Sequence, residues 1–189
     1  MGTRRKALKT KQKASAAVAA RLFVMDVDGT LTDGTFGYAS DGVEWKVFHA
    51  RDGAGIKFLP LVGVEAAIVS GRSSPVVARR AAELGIREVV QGSHDKRAAV
   101  RALRERLGVE AAAVAYIGDD LGDVAAMRDA GFSAAPADAA PEALAAASYR
   151  CKAKGGHGAV REAIEALLRR DGAWDAVVAR LVPAGAASP

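Results

Sequence analysis

A chain of 189 residues with half its side chains apolar is long enough for one domain with a full core, and too apolar to be disordered throughout. The single cysteine, Cys151, excludes an internal disulfide and a cysteine-held metal cluster, and no apolar run approaches the roughly 20 residues of a membrane span. Of the 27 Lys and Arg behind the formal charge of +5, seven stand in residues 1–21 with no acid, leaving 20 basic against 22 acidic side chains, so the body is no basic nucleic-acid-binding face.

Residues 1–20 read as a disordered basic extension without the apolar segment of a secretory signal, and residues 182–189 as a disordered tail. Between them, residues 21–181 read as one domain. Leu22–Met25 is a buried strand that ends in Asp26, Asp28 and Gly29. Phe36–Ser40 and Val43–His49 flank Asp41-Gly42, which signals a hairpin. Val43, Trp45 and Val47 share one face of the second arm and Glu44, Lys46 and Phe48 the other, so the hairpin needs something to pack on. Asp52 is placed to cap a helix running to about Val62, with Pro60 kinking or ending it. Val64–Val69 is a strand ending at Ser70-Gly71-Arg72, and Ser73-Ser74-Pro75 opens a helix that Gly85 stops.

Glu88–Val90 is a short third strand, and a loop over Gln91–Asp95 leads to a helix from Lys96 to Gly108. Ala113–Ile117 is a fourth strand and runs into Gly118-Asp119-Asp120-Leu121-Gly122-Asp123; the helix that follows reaches Ala130. Phe132–Ala135 and Tyr149–Cys151 are the last strands, with a short helix over Pro141–Ala147 between them. The Gly155–Gly158 loop leads to a helix over Ala159–Arg170, and a final helix covers Ala173–Leu181. Strands alternating with helices specify an α/β fold, a doubly wound parallel sheet, here with a protruding β-hairpin.

Four strand ends carry chemistry: Asp26/Asp28, Ser70, Lys96 and Asp119/Asp123. A lone aspartate beside glycine is more often a cap or turn residue, and Ser70 or Lys96 alone would read as a turn or a solvated lysine. All four in this order make a phosphoryl-transfer site, in which a carboxylate attacks phosphorus, a second moves a proton, and a hydroxyl, an ammonium and Mg²⁺ hold the phosphate oxygens.

The order Asp-x-Asp-Gly-Thr, Ser, Lys, Gly-Asp-x-x-x-Asp resembles the haloacid dehalogenase superfamily in its phosphatase form, over roughly residues 21–170. The resemblance implies that Asp26 is nucleophile and Mg²⁺ ligand. It makes Asp28 the general acid/base and a ligand through its backbone carbonyl, Asp119 the third ligand, and Asp120 and Asp123 supports behind them. Asp28 argues against a dehalogenase, which has no leaving alkoxide to protonate. No cap domain fits between the motifs, which points to the capless branch. Within that branch Asp41–Ile56, Ile68–Arg72, Tyr116–Leu121 and Gly155–Glu162 are similar to the 3-deoxy-D-manno-octulosonate 8-phosphate phosphatases. This family implies a cytoplasmic homotetramer joined through the 36–49 hairpin, with no membrane and no specific nucleic acid as partner. Its sugar-acid phosphate would be held by Asp28, His49, Ala50, Arg51, Asp52, Gly53, Lys57, Arg72, Arg80 and Lys96. His49, Lys57 and His157 stand where that family commonly has Asn, Arg and Arg, and its Gly-Gly-Arg-Gly segment is thought to reach a neighbouring site. Phosphatases of nine-carbon sugar-acid 9-phosphates share nearly all these motifs, and a non-catalytic partner of a cytidylyltransferase is the alternative from another class.

Overall fold

The computed structural model describes residues 19–182; apart from Ala19, Ala20 and Val182, the expected extension and tail lie outside them. Six parallel strands form the central sheet: β1 (Leu22–Met25), β4 (Glu65–Val69), β5 (Glu88–Val90), β6 (Val114–Ile117), β7 (Phe132–Ala135) and β8 (Tyr149–Arg150). Their order is β5-β4-β1-β6-β7-β8. The chain works outward from β1 to one edge and then returns to β6 on its other side, so β1 and β6 flank the point where the winding reverses. Ligands of open parallel sheets bind there, beyond the strands' carboxyl ends.

β1 and β6 are buried on both faces, which is why they read as unbroken apolar runs. Phe23 and Met25 face a core built with α1 (Ala50–Ile56), α2 (Pro75–Leu84), α6 (Ala159–Arg170) and α7 (Trp174–Leu181). Leu22 and Val24 face the other core, with α3 (Lys96–Arg106), α4 (Leu121–Asp129) and α5 (Pro141–Ala146). Helix starts follow the local chemistry. The Ser74 hydroxyl accepts from Val77 N–H with Pro75 in the first turn, and the Asp95 carboxylate accepts from Ala98 N–H at 2.9 Å.

The helix expected from Asp52 to Val62 is two pieces, α1 and a 3₁₀ turn over Leu59–Val62. Pro60 sits in the first turn of the second piece, where its missing N–H costs nothing. His49, not Asp52, is the N-cap of α1. Asp52 is buried inside the helix and accepts from Gly158 N–H (3.2 Å) and Arg161 N–H (2.7 Å), so it caps α6 from across the interface. Gly55 lets α6 come close, since a Cβ there would sit 3.2 Å from the Arg161 backbone.

The hairpin is shorter than the sequence suggests, with β2 (Gly37–Tyr38) paired to β3 (Glu44–Trp45) around Gly42 at φ 82°. Its alternation holds: Val43, Trp45 and Val47 face solvent, while Glu44 and Lys46 turn inward onto the end of the sheet.

Candidate active site

Asp26 follows β1 directly, and its N–H bonds to the Ile117 carbonyl at 3.0 Å, fixing it against the end of β6. The turn after it is closed by Thr30 N–H and Thr32 N–H on the Val27 carbonyl. Gly29 is required there: φ is 87°, and a Cβ would overlap the Asp119 carboxylate at 2.0 Å. Thr30 Oγ1 then donates to Asp119 Oδ1 at 3.1 Å, tying the loop after β1 to the loop after β6.

Asp123 is fully buried and organises the other side. Its Oδ1 accepts from Tyr116 Oη and Lys96 Nζ, both at 2.7 Å, and its Oδ2 from the backbone N–H groups of Asp119 and Asp120, both at 3.2 Å. Lys96 Nζ also reaches Asp26 Oδ1 at 2.8 Å. Ligand oxygens of Asp26, Asp119 and Asp123 all lie within 4.8 Å of one another. Three carboxylates share one ammonium here, and the electrostatics show it. Burial, and then the Asp123 charge, push Asp26 up to about 8 against the pull of Lys96. Burial and Asp123 likewise push Asp119 up to about 6. Burial alone would lower Lys96, but Asp26 and Asp123 outweigh it and its pKa is raised.

Ser70 is buried at the end of β4, held by its N–H on Val90 O, its carbonyl on Ser93 N–H, and its hydroxyl accepting from Arg72 N–H at 3.3 Å. Asp28 lies at the mouth. Lys46 Nζ hydrogen-bonds its Oδ1, and Arg72 Nε is 3.7 Å from its Oδ2. Arg72 also donates to Tyr38 Oη at 2.9 Å and stacks on the Phe36 ring at 4.0 Å.

The structure therefore gathers Asp26, Asp28, Ser70, Lys96, Asp119 and Asp123 with Arg72. Asp120 contributes its backbone, while its side chain is exposed. The residues expected to hold the sugar acid divide. Ala50, Arg51 and Lys57 are exposed on α1 and its end; Asp52 is used on α6; Gly53 lies beneath Arg80, which is engaged with Glu83 (3.2 Å) and the Phe48 ring. Among the described residues, none of these six makes a hydrogen bond or ion pair with the cluster. His49 Nδ1 is buried without a hydrogen-bond partner among the described residues, 3.9 Å from Asp52 Oδ2. Sequence reasoning missed Lys46, Glu44, Thr30 and Tyr116 as functional groups. The available signals were the inward alternation of Glu44 and Lys46, and the threonine inside Asp-x-Asp-Gly-Thr.

The Gly155–Gly158 loop packs on the turn after β1: Gly156 N–H donates to Thr30 O at 3.0 Å, and a Cβ at Gly155 would lie 1.9 Å from Gly29 O. This close contact is possible because these glycines let two backbones touch.

Residues 80–164 match the haloacid dehalogenase-like hydrolase family. The chain is 42% identical over 155 residues to the 3-deoxy-D-manno-octulosonate 8-phosphate phosphatase KdsC of Escherichia coli strain K12, covering 82% of each chain. It belongs to the KdsC family. A solved KdsC-family structure from Moraxella catarrhalis, in complex with magnesium ion, phosphate ion and KDO, superposes with a TM-score of 0.84 at 43% identity, covering 88% of this chain and 95% of that one. The cobalt-bound phosphatase from Haemophilus influenzae gives 0.79 at 39% identity, covering 84% and 93%. The donor set of this KdsC-family chain, all oxygen and short of positive charge, fits Mg²⁺, its cofactor.

Proposed function

We propose that this KdsC-family chain hydrolyses 3-deoxy-D-manno-octulosonate 8-phosphate to the free sugar acid and inorganic phosphate, a step in lipopolysaccharide precursor synthesis. The observation that carries the reading is the juxtaposition of Asp26, Asp119 and Asp123 around one lysine at the reversal point of a sheet with this family's sequence. Asp26 and Asp119 would hold Mg²⁺ with the Asp28 backbone carbonyl, and Asp123 would steady Asp119 and Lys96 from behind. When bound, the cation offsets the charge gathered between carboxylate and phosphate.

In the chemistry that follows, an Asp26 oxygen attacks phosphorus as the bond to the sugar oxygen breaks, and Asp28 gives that oxygen its proton. Water then attacks the aspartyl-phosphate, losing a proton to Asp28, and frees Asp26 and phosphate. Lys96 and the Ser70 loop hold phosphate oxygens. Arg72 stands at the mouth for the substrate's second anionic group. His49, Ala50 and Arg51, at the start of α1, are available to the sugar. The working form is a cytoplasmic homotetramer. The exposed apolar hairpin supports assembly, and a doubly anionic substrate that does not cross a bilayer unaided supports the compartment.

The test is phosphate release with Mg²⁺, comparing the eight-carbon 8-phosphate with a nine-carbon sugar-acid 9-phosphate. Clear preference for the eight-carbon compound is expected, and Asp26→Asn should lose roughly 10³-fold or more of it. Preference for the nine-carbon compound, or full turnover by Asp26→Asn, would overturn the reading.

A further inference from the structure

The second arm of the hairpin brings a charged network to the one catalytic carboxylate that the sheet does not itself fix. Asp26, Asp119 and Asp123 are held by Lys96, Thr30, Tyr116 and backbone N–H groups. Asp28 has none of these; among the described residues the groups on its carboxylate are Lys46 and Arg72. Lys46 is a lysine with no side-chain exposure, an uncommon state that calls for a fixed partner. Its ammonium lies on Asp28 Oδ1, 3.7 Å from Glu44 Oε1 and 4.8 Å from the Phe36 ring centre.

Glu44 is the anchor of this network. Its Oε2 accepts from the hydroxyl of Ser74, the cap of α2. Its buried Oε1 has no hydrogen-bond partner among the described residues and lies 3.7 Å from both Lys46 Nζ and Arg72 Nη2. The chain of contacts therefore runs from the start of α2 through Glu44 to two cations and on to Asp28.

We propose that Lys46 is a positioning residue for proton transfer, orienting the Asp28 carboxyl toward the leaving sugar oxygen. The inference rests on the phosphatase reading above and adds a role for the hairpin within it. With Oδ1 held by Lys46, Oδ2, 3.7 Å from Arg72 Nε, is the oxygen left to carry the proton, and the negative charge left on Asp28 after it protonates the leaving oxygen lies against a fixed ammonium. A side chain at a solvated loop would otherwise lose several rotamers to reach that geometry, and positioning of this kind is worth large rate factors.

The test uses leaving groups. A sugar alkoxide needs a proton as it departs; p-nitrophenolate leaves without one. Steps after phosphoenzyme formation are shared by both substrates, so the ratio of kcat/KM on the sugar-acid 8-phosphate to kcat/KM on p-nitrophenyl phosphate isolates proton delivery. In the full-length protein with Mg²⁺, Lys46→Met should lower this ratio at least about tenfold, part of the ~10²–10⁴ that general acid–base catalysis contributes. Lys46→Arg, which keeps a cation at the same place, should recover most of it. Asp28→Asn is run beside them. If Asp28→Asn lowers the ratio and Lys46→Met does not, or if Lys46→Met depresses both substrates equally, the positioning role is wrong while the phosphatase reading stands. If Asp28→Asn leaves the ratio unchanged, Asp28 is not the acid, and the assigned mechanism and this inference fall together.

Discussion

Asp26 and Asp119 set the pH behaviour of the metal-free protein. Both have folded pKa values above their ordinary 3.8, at about 8 and about 6, because burial and the Asp123 charge penalise their ionised forms. The folded state thus holds protons that the unfolded chain releases. The stability these groups contribute is fully present below the unfolded value and is lost as pH rises through about 6 and then about 8. A divalent cation favours the ionised forms and must displace those protons to bind. The gain in melting temperature from Mg²⁺ should therefore grow between about pH 5.5 and about pH 8.5, with proton uptake by the buffer on titration. Thermal melts with and without Mg²⁺ across that range check it; a gain independent of pH would mean the carboxylates are already ionised. Two neighbours make different use of burial. Cys151 is pushed up to about 12 by its apolar surroundings and then by Glu162, which leaves it an inert core thiol. Asp52 is raised by burial although two N–H groups favour its charge.

At the scale of elements, α6 is fastened to the turn after β1 from both ends of one loop. Asp52 in α1 holds the first N–H groups of α6, and Gly155-Gly156 lies backbone to backbone on Gly29 and Thr30. Asp52→Ala leaves two part-buried donors without their acceptor. It should cost about 2–3 kcal/mol, or roughly 5–10 °C of melting temperature for a chain of this size; a loss under about 1 °C in a thermal melt would show that water replaces the carboxylate. Gly155→Ala acts elsewhere. Its methyl must displace Gly29 O, one residue from the threonine that aligns Asp119, so kcat should fall at least about tenfold, and the melting temperature should fall with it because backbone has to give way. The same elements show what a sequence can reveal. β1 and β6 were legible because both faces are buried, and the caps Ser74 and Asp95 because their bonds are local. Asp52 misleads because a contact 109 residues away claims an aspartate that local rules assign to its own helix. Lys46 shares a face with Glu44 and Phe48, and nothing local gives that face a role until the hairpin folds back on Asp28, 18 residues earlier.

At the scale of the whole molecule, one strand serves two surfaces. Its inner face carries Glu44 and Lys46 onto the catalytic loop, while its outer face leaves Val43, Trp45 and Val47 between 54% and 64% exposed, beside Phe36 and Tyr38. Two short paired strands cannot hide five large apolar groups by themselves, and contiguous exposed apolar surface marks an interface. A second copy of the chain would supply a matching surface, and closed symmetry would bury every copy of it without leaving an open edge. The site would gain by it as well: among the described residues no cap domain covers it, Leu121 at the start of α4 stands 63% exposed, and neighbouring hairpins would narrow the mouth. Trp45→Glu places a charge on the outer face without touching Glu44, Lys46 or the sheet. It should reduce the mass seen by light scattering from that of four chains to one or two, leave the monomer's helical circular dichroism unchanged, and raise KM for the sugar-acid phosphate more than it lowers kcat. A wild-type protein of monomer mass at micromolar concentration with full activity would show that the hairpin works alone, and that its apolar face waits for some other partner.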